Sequence, residues 1–170
     1  MDNFEQFYNR TLRFLSYRPR SEKEIKDYLE LKTKNLKLKT KGEMINSIID
    51  RLKEHKFIND NDFAKWWIDQ RTRVKPRAWK IIQYELKQKG IDEEIIKSQI
   101  SNSPTSPRLR GAGKFQIPSD LESAKILVQK KSFRYRDLPK QEAYQKLARF
   151  LASKGFDWGV IKKALSNIDD

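Results

Sequence analysis

The stretch Leu86-Lys87-Gln88-Lys89-Gly90-Ile91-Asp92 decides the reading of this chain, because it has two counterparts. One precedes it, Leu52-Lys53-Glu54-His55-Lys56-Phe57-Ile58, and one follows, Leu151-Ala152-Ser153-Lys154-Gly155-Phe156-Asp157. The second and third copies stay in step further on, with Glu94-Ile95-Ile96-Lys97 matching Gly159-Val160-Ile161-Lys162. A separate echo pairs Tyr17-Arg18-Pro19-Arg20-Ser21 with Val74-Lys75-Pro76-Arg77-Ala78, each opening an apolar-periodic segment. Chains built from repeated helical units present long surfaces for holding a partner more often than pockets for chemistry.

Around these copies every clear hydrophobic period is helical. Phe4, Phe7, Tyr8, Leu12 and Leu15 recur at i, i+3, i+4 spacing and stop before Arg18-Pro19. Ser21 and Glu24 form a capping box ahead of Ile25, Tyr28 and Leu29. Met44, Ile45, Ile48, Ile49 and Leu52 mark a third helix, after a lysine-rich, solvated and mobile connection spanning 32–42. Asn59-Asp60-Asn61-Asp62 supplies caps for a helix bearing Phe63, Trp66 and Trp67 that runs through Arg71 to Lys75 and stops at Pro76. Ile81, Ile82 and Leu86 follow, ended by Gly90 in a left-handed conformation, and Asp92 caps Ile95, Ile96 and Ile100. Residues 101–118, rich in Ser, Pro and Gly and basic, read as a flexible linker. Ser119-Asp120 then caps Leu121, Ala124, Leu127 and Val128; Pro139 opens a helix through Leu147 and Leu151 to Gly155; Asp157 caps Val160, Ile161, Ala164 and Leu165.

The expected fold is therefore all-α, with three tandem three-helix repeats stacked into an elongated, curved array. Repeat 1 spans 1–58, repeat 2 spans 59–100, the linker 101–118 and repeat 3 119–170. A triplet of roughly 35–50 residues buries too little to stand alone, so neighbouring units should support one another.

Lys and Arg number 37 against 23 acids, a formal charge of +14. The surplus is even, with residues 1–100 and 101–170 each carrying +7. Such a spread favours a body that faces a polyanion along its length over a neutral domain with a basic tail. Cysteine is absent, which removes disulfides and thiolate metal sites and suits a reducing compartment. No apolar run reaches the ~20 residues that span a bilayer. The opening Met1-Asp2-Asn3-Phe4-Glu5 is acidic where a signal peptide is basic, so the expectation is a cytoplasmic protein without a membrane partner.

The inventory for catalysis is thin. His55 is the one histidine and is read at the end of a helix, where the other two copies show Gly; a helix-end surface role explains it better than chemistry. Asp60 and Asp62 resemble a metal pair, but helix capping accounts for them, and the glycine and distal glutamate of a calcium loop are missing. No catalytic residue, cofactor or metal is assigned. Basic runs speak more clearly. Arg71, Arg73, Lys75, Arg77 and Lys80 form an acid-free stretch, with Arg10, Arg13, Arg18 and Arg20 before it and Lys125, Lys130, Lys131, Arg134 and Arg136 after. One such run is usually a solvated face, whereas three at matching places make a stripe suited to phosphates or an acidic filament. Adjacent Trp66 and Trp67 cannot share a helix face, so one belongs in the core; Trp79 and Trp158, near helix starts, are expected to pack as staples or core.

Phe14-Leu15-Ser16-Tyr17-Arg18-Pro19-Arg20-Ser21-Glu22-Lys23-Glu24-Ile25, Phe57-Ile58-Asn59-Asp60-Asn61-Asp62-Phe63-Ala64 and Glu85-Leu86-Lys87-Gln88-Lys89-Gly90-Ile91 together resemble the RecX family of bacterial recombination regulators. The likeness is strongest over residues 10–100 and looser in the third unit, through Lys154-Gly155-Phe156 and Val160-Ile161. It departs at Ala78, where family members often carry Gly, and at 101–118, often acidic and helical in the family. The resemblance implies three tandem three-helix repeats and a non-enzymatic protein that binds RecA and the RecA–DNA filament, restraining strand exchange and ATP hydrolysis. It also implies binding to single- or double-stranded DNA. Charge pattern and proximity to the motifs nominate Arg18, Arg20, Arg71, Arg73, Lys75, Arg77 and Lys80 as the contact residues of a monomer. The alternative is a standalone, sequence-nonspecific DNA-binding helical protein.

Overall fold

Residues 3–35, 40–101 and 118–166 are described in the structure, a computed structural model. Residues 36–39 of the lysine-rich connection and 102–117 of the expected linker lie outside the described residues. Among those described, all regular structure is helical: α1 (Asn3–Ser16), α2 (Glu22–Lys32), α3 (Lys41–Glu54), α4 (Asp60–Asp69), α5 (Trp79–Gln88), α6 (Glu93–Ser101), α7 (Asp120–Ser132), α8 (Lys140–Ser153) and α9 (Trp158–Leu165). A π-helical turn, Gln70–Val74, extends α4, and a 3-10 turn, Phe133–Tyr135, extends α7.

Local chemistry places the helix starts. Ser21 and Ser119 each accept the backbone N–H three residues on, and Glu24 and Glu122 reach back to the cap amides, so two full capping boxes open α2 and α7. Asn59 caps α4 by accepting from Asn61 and Asp62, and Asp92 accepts the Glu94 amide at 2.7 Å. Asp60 and Asp157 differ from expectation. The Asp60 carboxylate leaves its own helix and accepts the Glu22 amide at 2.9 Å, while Asp157 spends its side chain on Lys80 at 2.7 Å.

Each apolar stripe meets two others. Phe7, Tyr8, Ile25, Leu29, Ile45, Ile48, Ile49, Leu52 and Ile58 form one core. Phe63, Ala64, Ile68, Ile82, Leu86, Ile91 and Ile96 form a second. The third gathers Ala124, Leu127, Leu147, Ala148, Leu151, Phe156, Ile161, Ala164 and Leu165, and draws in Ala78 from the start of α5. Three threonines escape the apolar pattern yet are buried. Thr11, Thr33 and Thr72 each return their hydroxyl to the carbonyl four residues back, at 2.6–2.8 Å, which satisfies a polar group inside a helix without a distant partner.

The units join through their second helices. The amino end of α2 abuts the carboxyl end of α5: Ser21 Oγ donates to Lys89 O at 2.7 Å and Lys23 Nζ to Gln88 O at 3.0 Å. The amino end of α5 abuts the carboxyl end of α8, where the Ala78 amide donates to Lys154 O at 3.1 Å. Each contact occupies the orphan carbonyls of one helix with donors from the positive end of another. A carboxylate locks each joint at the same place, since Asp60 takes the first amide of α2 and Asp120 the first amide of α5, Trp79 N, at 2.8 Å. The echo between Tyr17–Ser21 and Val74–Ala78 is thus one joint built twice. The hydrogen bonds and ion pairs named here join each unit to its neighbour in sequence, as in a linear array.

Glycine at the joints has two causes. Gly90 (φ 77°) and Gly155 (φ 89°) are left-handed, and a Cβ on Gly90 would stand 2.8 Å from Lys23 Cβ, one on Gly155 against Ile81 Cγ1. In the first copy the equivalent conformation belongs to Lys56 (φ 57°), not to His55, which is the residue before it. That copy also ends a third helix, α3, where the other two end second helices, α5 and α8. The repeat marks helix termination throughout but occupies a different helix in the first unit.

Candidate partner-binding surface

The surface charges are organised by two half-buried glutamates distant in sequence from the cations they hold. Glu24, in the first turn of α2, receives Arg18 through two bonds of 3.1 and 2.7 Å and Lys89 at 2.7 Å. Burial pushes its carboxyl up, but the hydrogen bonds and charges of Arg18 and Lys89 outweigh that and hold it at about 2, against an ordinary 4.5. Glu85, on α5, accepts Arg71 Nε at 2.7 Å and Trp67 Nε1 at 2.9 Å, and pairs with Arg77 at 3.3 Å. Arg71 and Lys89 also face the Trp67 ring, at 4.4 and 4.5 Å from its centroid. An acid-free run in sequence is therefore not acid-free in space.

The seven nominated cations fall into three groups. Arg18, Arg71 and Arg77 are tied to Glu24 or Glu85, side chains only 17–18% exposed, and serve packing. Arg73 and Lys80 are exposed (52% and 58%) and bind the part-exposed Asp69 and the exposed Asp157, pairs of the kind worth about 0–1 kcal/mol and readily exchanged. Arg20 and Lys75 have no ion pair among the described residues. The Arg20 guanidinium lies 3.9 Å over the Phe14 ring; burial first, then the neighbouring Arg18 charge, lowers its pKa from the ordinary value, with Glu24 opposing.

The basic runs occupy the ends of α1, α4 and α7 and the turns beyond. Lys130 of α7 approaches the Arg73 carbonyl at 3.4 Å, and Arg18 sits 5.8 Å over Trp66 of α4, so the first and third runs both reach the second unit. Trp66 and Trp67 do not divide into core and surface. Both are half-buried and straddle Phe63, each ring 5.8 Å from it. Trp79 packs on the second core as expected. Trp158 does not: it is 57% exposed, beside Tyr144 and Ala148. The ion-pairing role of the two glutamates was missed by reading charge along the chain, where Glu24 shows only as the capping-box partner of Ser21.

Among the described residues no group of three or more His, Asp or Glu side chains is placed to hold a metal ion, and no helix is long and apolar enough to cross a membrane. What the geometry defines is a helical-repeat protein, with polar joints and a surface of exchangeable cations. The chain belongs to the RecX family. Three family models match it: the first RecX three-helix domain over residues 8–33, the second over 59–98 and the third over 119–165. It is 32% identical over 168 residues to the regulatory protein RecX of Oceanobacillus iheyensis, covering 99% of this chain and 55% of the relative. The same protein of Bacillus subtilis (strain 168) is also 32% identical, with 99% and 57% covered. The chain thus spans little more than half the length of the curated relatives it matches. The crystal structure of RecX from Lactobacillus salivarius superposes with a TM-score of 0.61 at 25% identity, covering 98% of this chain and 96% of that one.

Proposed function

We propose that this chain is a non-catalytic, cytoplasmic regulator that binds RecA and the RecA–DNA filament as a monomer and restrains recombinase and ATPase activity. The observation that carries the reading is the linear joining of three-helix units through α2, α5 and α8, with a basic run at the end of each opening helix. A linear array offers successive contacts to successive subunits of a filament, and each unit contributes a similar one. Repeat boundaries at 58, 100 and 118 suit this use, since each unit then holds one run and, Ala78 apart, one core.

The contact surface falls to Arg73, Lys75 and Lys80, whose charges are exposed or exchangeable, together with Arg20. Arg18, Arg71 and Arg77 belong to the scaffold that positions them. The family name of the relatives supports a recombination role. The test is RecA-dependent ATP hydrolysis and strand exchange on single-stranded DNA with stoichiometric protein. Both rates are expected to fall; rates equal to those without the protein overturn the reading.

A further inference from the structure

A groove of about 780 Å³ opens between the turn after α1 and the junction of α3 with α4. Leu12, Leu15 and Phe63 line its apolar part, and Tyr17 (83% exposed) and Phe57 (53% exposed) stand along it as unburied aromatic rings. Phe57 reaches this place because Lys56 before it takes the left-handed conformation and turns the chain out of α3. Exposed aromatic rings beside an apolar floor are the usual anchors of protein contacts, where Tyr, Phe and Arg are enriched.

Arg20 lines the same groove, and its state is unusual. Its Nε is shut from solvent with no acceptor in the protein, the guanidinium rests on Phe14, and no carboxylate of the described residues pairs with it. The Arg20 charge has no ion pair among the described residues, so an incoming carboxylate can pair with the guanidinium without breaking one. Lys56, also on the groove and also without an ion pair, adds to the attraction. Nucleic acid fits less well. A phosphate track needs successive free cations, but Arg18 here is neutralised by Glu24, which leaves Arg20 and Lys56 as isolated charges, enough for a single carboxylate.

We propose that this groove docks a segment of a partner protein bearing an apolar side chain beside a carboxylate, the apolar group lying against Tyr17 and Phe57 and the carboxylate on Arg20. The inference rests on the reading above, in which the partner is the recombinase, and assigns the protein-to-protein part of that contact to the first two units.

The experiment compares the wild-type chain, the double variant Tyr17→Ser/Phe57→Ser and the variant Arg20→Gln. Binding is titrated to RecA assembled on oligo(dT) with a non-hydrolysable nucleotide, and separately to oligo(dT) alone. The double variant alters only exposed rings, so it stays informative even where Arg20→Gln weakens folding, which thermal unfolding reports. Filament affinity is expected to fall about tenfold or more in both variants with oligo(dT) affinity changed less than about twofold, the loss typical of a central anchor. Unchanged filament affinity overturns the proposal, as does a parallel loss on filament and oligonucleotide, which makes the groove a nucleic-acid site. A wild-type chain that ignores the filament removes the RecA reading itself and this inference with it, a result plainly different from variants that bind as well as the parent.

Discussion

Four donors from three residues converge on Glu24, two from Arg18 and one each from Lys89 and the Ser21 amide, and so one carboxylate closes a helix cap, steadies a turn and bridges two units. The consequence for stability has a definite sign. The folded carboxyl titrates near about 2 and an ordinary glutamate near 4.5, so between those values the unfolded chain binds more protons. Stability supplied by Glu24 is complete above the unfolded value and is lost as pH falls through the folded one. Asp60 and Asp120 act in the opposite direction. Burial raises both despite the amides they accept, so they take up protons earlier in the folded state and favour it on acidification. Replacing Glu24 with Gln is expected to cost about 2 kcal/mol at neutral pH, as for charge-assisted hydrogen bonds, and to flatten the acid limb of the thermal-unfolding profile. An acid limb as steep as the parent's would show that other carboxyls set it. Of these residues only the Ser21–Glu24 cap was legible in sequence. Glu24's second partner lies 65 residues away, and nothing local announces a contact of that range.

At the scale of helices, the period of apolar residues and the capping residues placed α1 to α9 well, because both act within a turn or two. The joints between units were legible only as unexplained resemblance. Gly90, Gly155, Ser21 and Ala78 recur in sequence, yet what they touch depends on how one unit docks against the next. The π-helical turn at Gln70–Val74 and the exposed position of Trp158 were likewise outside local reach, since neighbouring packing decides both. The joints supply a graded test. Gly155→Ala and Gly90→Ala combine a left-handed backbone with a crowded Cβ, and each is expected to lower stability by more than the roughly 1 kcal/mol of the backbone alone. Gly155 is the worse, because the body of Ile81 blocks it, whereas Gly90 meets the stem of an exposed lysine. Lys56→Gly should do the reverse and raise stability by about 1 kcal/mol, since it relieves a left-handed non-glycine residue. Chemical denaturation of the three variants gives the order; a stabilised Gly155→Ala would contradict the described joint.

For the molecule as a whole, net charge overstates what is available to a polyanion. Five of the seven nominated cations are already paired within the chain, a fact hidden from any count along the sequence. Affinity for duplex DNA measured against salt separates the roles. Lys75→Ala and Arg73→Ala are each expected to reduce the slope of log affinity against log salt by about 0.9 without loss of fold. Arg71→Gln is expected to leave the slope alone and lower the unfolding midpoint, because Glu85 and Trp67 lose their partner. Equal slopes in all three would return the surface charges to a purely solvating role. The two joints also differ in make-up. The first and second cores share no residue, and helix tips and ions close the seam between them, whereas Ala78 is sunk in the third core and Ile81 blocks the space beside Gly155. Tilting at the first seam breaks cap hydrogen bonds and ion pairs, while tilting at the second must also pull Ala78 out of oil. The leading unit is accordingly held by bonds that acid and salt can loosen, while the trailing pair is wedged by hydrocarbon as well.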